Sequence, residues 1–153
     1  MNPLNEEIEC ATTVVLSFIS EMNIWETRMY YKSRIENGEF VSERNAKLVI
    51  AAPYEDIENE YYDVFNRHCT QRKRTYGGFP GSWSKNGQYV GIDKDAVLEV
   101  NISKLSQAEV IVKGGQFPDN RYKFVLFKKR DGWKIDNAFW SSSASGKWER
   151  HHL

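Results

Sequence analysis

Apolar residues recur at steps of three and four through the first part of the chain. Ile8, Ala11, Val15, Phe18, Ile19, Met22, Trp25 and Met29 fall on one stripe, the spacing of an amphipathic helix laid on a core. The helix is expected to begin near Asn2 or Asn5. Pro3 suits a first turn, and Glu6, Glu7 and Glu9 favour the positive helix end. Asn37-Gly38 is a plausible stop. A single helix of that length is long for a small domain, so a bend near Met22–Trp25 is an open alternative. Ser42 can cap a second helix through Leu48–Ala52, which Pro53 interrupts. In a third helix Ile57, Tyr61, Val64, Phe65 and His68 form the inward stripe, and the basic run Arg67 to Arg74 ends it.

The periodicity then changes. Tyr76 to Gly87 is punctuated by glycine and proline and reads as a loop with three large aromatics, Tyr76, Phe79 and Trp83. From there the pattern alternates, as strands do. Residues 89–93 suggest a short strand. Ala96 to Lys104 places Val97, Glu99 and Asn101 on one side and Leu98, Val100 and Ile102 on the other. Ala108 to Lys113 comes next, broken by Gly114-Gly115. Residues 121–127 and 133–140 flank an Asp131-Gly132 turn, a strong hairpin signal. Phe124 and Leu126 oppose Val125 and Phe127, so both faces of this hairpin carry apolar groups. One face must cover the helices. The other calls for cover by loops, by curvature or by a partner. Residues 141–153 read as a tail, with Trp148 and Leu153 as possible anchors.

Helices first and a curved antiparallel sheet last define an α+β cone. The predicted organisation is one domain over 1–153: helices about 3–74, an aromatic and glycine-rich loop 76–88, the sheet about 89–140 and the tail 141–153. At 153 residues with 41% hydrophobic and 27% charged side chains, the chain has ordinary globular composition and enough length for a core. No apolar run approaches the ~20 residues that span a bilayer, and the start lacks the basic region of a secretory signal. Cys10 and Cys69 match no metal or disulfide spacing. They read as free, buried thiols of a cytoplasmic protein.

Net charge is zero, but unevenly distributed. Residues 1–66 hold thirteen acidic and five basic side chains, and residues 67–153 hold eight acidic and sixteen basic. An acidic helical half and a basic sheet half can each meet an oppositely charged partner, although solvated surface alone explains the same numbers.

Catalytic signatures are sparse. The chain has no dinucleotide fingerprint, Walker loop, zinc-protease motif or nucleophile elbow. Gly77-Gly78 to Gly81 lacks the strand-to-helix setting of a phosphate cradle. A cone can run proton transfer with cavity Asp, His and Tyr groups, and the candidates are His68, Asp136 and Tyr61, with Tyr30 weaker. His68 is the best base by type. A hydrogen-bonded or solvated helix-end histidine, and an Asp136 paired with a cross-strand cation, are the plainer readings. No metal site and no cofactor are expected. Arg67, Arg72, Lys73 and Arg74 beside Tyr76, and Lys128-Lys129-Arg130, can contact phosphates. The neutral chain and the absence of a recognition motif argue against nucleic acid. Protein binding fits more of the residues. Five tryptophans and eight tyrosines exceed a minimal core's needs, and aromatics with arginine are typical of interfaces.

The order of these segments resembles the nuclear-transport-factor-2-like superfamily, and within it the NTF2-fold immunity proteins of bacterial polymorphic toxin systems. The resemblance spans nearly the full length. It rests on the opening helix with Phe18 and Met22, on Ala108–Val112, on Tyr122–Lys129, on the closing Asp131-Gly132-Trp133-Lys134-Ile135-Asp136-Asn137, and on Gly146-Lys147-Trp148. It implies a cytoplasmic, non-catalytic protein that binds the toxin domain of an Rhs-type or secretion-delivered effector and protects the producing cell. The alternative it leaves is a small-molecule enzyme of isomerase or dehydratase type using the cone cavity. The toxin-contact candidates are Phe79, Trp83, Arg121, Lys123, Trp140 and Trp148, with Glu55, Glu58 and Glu60 as an acidic alternative. A homodimer through the sheet is a further expectation of the resemblance.

Overall fold

The computed structural model describes residues 2–36, 54–72, 89–104, 106–114, 119–142 and 146–151. The predicted helix from Ser42 to Ala52 and the whole aromatic and glycine-rich loop 76–88, with Phe79 and Trp83, lie outside them, as do His152 and Leu153 of the predicted tail.

The first helix, α1, is Pro3–Glu36. Asn2 starts it: its side-chain Oδ1 accepts from the Leu4 amide at 3.0 Å and its carbonyl accepts from the Asn5 amide at 2.9 Å. That arrangement satisfies amides with no partner inside the helix. The helix does not break near Met22–Trp25. No proline or glycine interrupts the run, and at about 1.5 Å per residue it extends roughly 50 Å. Ala11, Val15, Phe18, Ile19, Met22, Trp25 and Met29 are all buried, as the stripe requires. Cys10 lies off that stripe and is exposed, while Cys69 is buried; both are free thiols. The expected burial therefore holds for Cys69 only.

Helix α2, Tyr54–His68, lies against the C-terminal half of α1. The Trp25 indole donates to the Ile57 carbonyl at 2.7 Å, and the Trp25 and Tyr61 ring centroids are 4.5 Å apart. Arg28 forms an ion pair with Glu60. Buried aromatic contact and a satisfied indole fix the pairing more firmly than the half-exposed ion pair.

The sheet is an antiparallel meander in chain order: β1 Val97–Ser103, β2 Gln107–Lys113, β3 Arg121–Lys129, β4 Gly132–Ser141 and β5 Glu149–His151. Residues 89–93 form no strand. Tyr89–Gly91 turns, with Gly91 at φ 80°, and Asp93 caps a short 3-10 helix, Lys94–Ala96. In the predicted hairpin, Arg130 and Asp131 connect β3 to β4 and Gly132 takes φ 111°. That positive φ is a conformation L side chains resist. The tail contributes β5, which has no apolar alternation to announce it. Ala138, Phe139 and Trp140 pair with His151, Arg150 and Glu149. Earlier along β4, Cys69 just after α2 bridges to Ile135, and the Thr70 amide donates to the Ile135 carbonyl at 2.8 Å.

Two bulges shift the alternation read from sequence. In β1 the register slips between Val97 and Glu99. Leu98 is the extra residue and is 49% exposed, while Val97, Val100 and Ile102 pack on the core. In β4 Leu126 faces Ile135 but Val125 faces Asn137, so Asp136 is the extra residue. Ile135 and Ala138 consequently both point inward despite their odd spacing.

The core lies between α1 and one face of the sheet, where Ala108, Val110, Val112, Phe124, Leu126, Trp133, Ile135 and Ala138 are buried. Phe18 is its centre. Its ring packs on Phe65 at 5.5 Å, Phe124 at 6.3 Å and Tyr89 at 6.4 Å between centroids, joining both helices, the sheet and the turn before β1. Phe18→Ala should lower unfolding stability by about 3–5 kcal/mol, measured by chemical denaturation. A loss below about 1 kcal/mol, the size of a surface change, would contradict this central role.

Candidate functional site

The three proton-transfer candidates have separate partners. Tyr61 is buried, with ring contacts to Trp25, Tyr62 and Phe65. His68 closes α2 with its ring nitrogen Nε2 against the Glu21 carboxylate of α1. Asp136 accepts from the Thr70 hydroxyl at 2.7 Å and pairs with Arg72 at 3.3 Å. The alternation that aligned Asp136 with Ala138 fails at the bulge, and the carboxylate ties the segment after α2 to β4. Each side chain thus holds elements together. None of the three is joined to another by these bonds.

The cone interior is packed with rings. Phe18, Phe65, Tyr61, Tyr89 and Phe124 fill it, and the Tyr89 hydroxyl meets His151 Nε2 at 2.9 Å. Burial pushes the Tyr89 phenol far up, helped by Tyr122, Tyr61, Cys69 and Glu26. Burial, then Glu26, raises Tyr122 as well. Both phenols remain protonated near neutrality, and Tyr89 is 0% exposed. A displaced titratable group therefore exists in the cone, but no substrate reaches it and its shift leads away from useful acid–base range. Tyr89 is not among the candidates that periodicity suggests, because its composition places it in a strand.

Two grooves open elsewhere. One of about 270 Å³ runs between α1 and α2, lined by Glu21, Ile24, Trp25, Glu60, Asp63, Val64 and Arg67. A wider one of about 630 Å³ lies between the start of α1 and the β3–β4 hairpin. Across it Glu7 accepts from the Trp133 indole at 2.7 Å and pairs with Lys128. The Lys128 hydrogen bond is the main reason the Glu7 carboxyl is held low; partial burial opposes it and Trp133 assists. Among the described residues, no group of three or more His, Cys, Asp or Glu is placed to hold a metal, and no helix is long and apolar enough to cross a membrane.

The toxin-contact candidates divide between surfaces. Trp140 lies opposite Tyr122, whose ring packs on buried Tyr89, so Trp140 sits at the rim of the helix-covered face. Lys123 lies opposite Phe139 on the other, open face. Its ammonium is 5.2 Å from the Phe139 ring centroid and 4.7 Å from that of Trp148. Arg121 is exposed one alternation away. Glu55 is exposed at the first turn of α2, Glu58 is half-buried one turn on, and Glu60 is engaged by Arg28. The structure therefore brings Lys123 and Trp148 together and separates them from Trp140 and the α2 carboxylates. Phe139 joins the pair without having been a candidate, although its cross-strand position can be deduced once the hairpin register is known.

A family model described as NTF2 fold immunity protein matches residues 10–152. The chain belongs to that family. Its fold is accordingly an α+β NTF2-like one, and its family role is that of an immunity protein that neutralises a toxin. Among curated proteins it is similar to immunity protein RhsIA of Dickeya dadantii (strain 3937). The two are 24% identical over 156 residues, covering 96% of this chain and 98% of that protein. No solved structure matches.

Glu21 gives a pH test of the helix pairing. Burial raises its carboxyl, but hydrogen bonds from His68 and Arg67 outweigh that and hold it below the ordinary value. A carboxylate with a depressed folded pKa contributes stability above its unfolded pKa and loses it as pH falls through the folded one. Because the site is one-third exposed, screening limits the contribution to about 1 kcal/mol. Glu21→Gln should flatten the acid side of the stability–pH curve and cost most near neutrality. An unchanged acid limb would remove the pairing from the account.

Proposed function

We propose that this immunity protein acts by direct, stoichiometric binding of a cognate toxin protein and catalyses no reaction itself. The observation that carries this is the ring-filled cone interior. An NTF2-like enzyme needs room there for a substrate beside its acid–base groups. Here Phe18, Tyr61, Tyr89 and Phe124 occupy that volume with little or no exposure. The side chains suited to proton transfer are spent on joining α2 to α1 and to β4. What remains for function is surface.

The toxin is proposed to be the C-terminal domain of an Rhs-type effector, on the strength of the similarity to RhsIA. The cytoplasm is the proposed compartment, where the exposed Cys10 thiol stays reduced. Binding can cover the toxin's active site or hold it in an inactive form, and either protects the producing cell.

The test is co-expression of this chain with the toxin domain encoded beside its gene, scored as survival of a sensitive host. Wild type should rescue growth. So should Tyr61→Phe, His68→Gln and Asp136→Asn, because each removes a proton-transfer group with little change of shape. Death of the host with these variants, while the purified proteins still fold and bind toxin, would transfer the role to catalysis.

A further inference from the structure

Ion pairs in the described residues are concentrated on the helices, the segment after α2 and the β3–β4 hairpin. They include Glu7–Lys128, Glu21–Arg67, Glu21–His68, Arg28–Glu60, Arg72–Asp136 and Lys134–Asp131. One set of cations stands apart. On the open face, Lys113 at the end of β2 lies directly opposite Arg121 at the start of β3. One step further along the same face, Lys123 lies opposite Phe139, and Phe139 opposite Arg150 of β5. Lys113, Arg121 and Arg150 are exposed, and among the described residues no carboxylate pairs with them. Lys123 is held over the Phe139 and Trp148 rings instead of a carboxylate.

Like charges directly opposite across a strand pair are destabilising. This end of the sheet gathers four cations around two half-buried rings. Glu99 is a carboxylate along this face, opposite Ile111 and engaged by the Asn101 amide. Aromatic anchors beside arginine and lysine with no ion-pair partner among the described residues suit a partner that brings carboxylates. Resting on the reading that the chain binds a toxin, we propose that this patch is the toxin-docking surface and that the toxin meets it with an acidic protein surface. Carboxylates of the partner relieve the Lys113–Arg121 repulsion. Phe139 and Trp148, already fixed by the Lys123 ammonium, supply the contact area that slows release. A protein is favoured over nucleic acid because the chain is neutral and its other half is acidic, which repels a polyanion beyond the patch itself. The α2 carboxylates are the lesser surface: Glu60 is already paired with Arg28 and Glu58 is half-buried.

The experiment measures association and dissociation rates with the purified toxin domain encoded beside this gene. Three full-length proteins are compared: wild type, the triple variant K113E/R121E/R150E, and E55K/E58K. All substituted groups lie outside the core, and circular dichroism with thermal melts confirms folding. The triple variant should weaken binding about 100-fold or more, chiefly through a slower association rate. Wild-type association should slow as salt rises, and E55K/E58K should bind as wild type does. A triple variant of wild-type affinity, or loss confined to E55K/E58K, would overturn the patch while leaving toxin binding intact. Absence of binding by wild type itself would instead remove the underlying reading, and the patch with it. Equal affinity for a short duplex DNA would replace the acidic protein partner by nucleic acid.

Discussion

Contact of the Phe18 ring with Phe65, Tyr89 and Phe124 couples every layer of this molecule. A helix and a sheet each need to bury one apolar face, and here a single stripe on α1 serves both α2 and the strands. Because the stripe recurs through a helix of 34 residues, its N-terminal half covers the sheet while its C-terminal half pairs with α2. Polar contacts then fix the angles. Glu7 reaches the hairpin, Glu21 the end of α2, and Trp25 the first turn of α2. All three are set on the same helix, so the position of α1 determines where everything else lies.

Filling the cone has a functional consequence. Among the described residues Phe18, Tyr61, Tyr89 and Phe124 are buried in the interior, which turns attention to the outer surface. The family role of immunity protein agrees with that division. Tyr89 illustrates it: its phenol is buried, hydrogen-bonded to His151 and kept protonated, so it contributes to holding β5 in place and offers nothing to a ligand. The strand it holds carries Arg150, with Trp148 just before it, close to the open face, so interior packing and exterior chemistry meet in the last residues described.

Much of the scaffold could be read directly from periodicity. The α1 stripe, the third predicted helix, four of the strands and the 131–132 turn are all legible in apolar spacing and turn chemistry. The failures have local causes. Bulges at Leu98 and Asp136 each insert one residue and reverse the face of the residues after them, which alternation alone cannot foresee. Strand β5 is Glu-Arg-His, recognisable only through its partners. Tyr89 sits in a glycine-bearing turn that resembles a strand in composition. At the surface, Arg121, Lys123 and Trp148 were identifiable as interface types, but the sequence did not show that Trp140 faces the opposite way or that Phe139 belongs with them. Cross-strand register supplies that information, and register depends on the bulges.

The most direct test is a titration of a fixed concentration of active toxin domain with this protein, monitoring toxin activity over time. Stoichiometric binding predicts a linear fall that reaches zero at one equivalent and does not progress on longer incubation. Continued inactivation of excess toxin by a small fraction of an equivalent would show turnover and contradict the account.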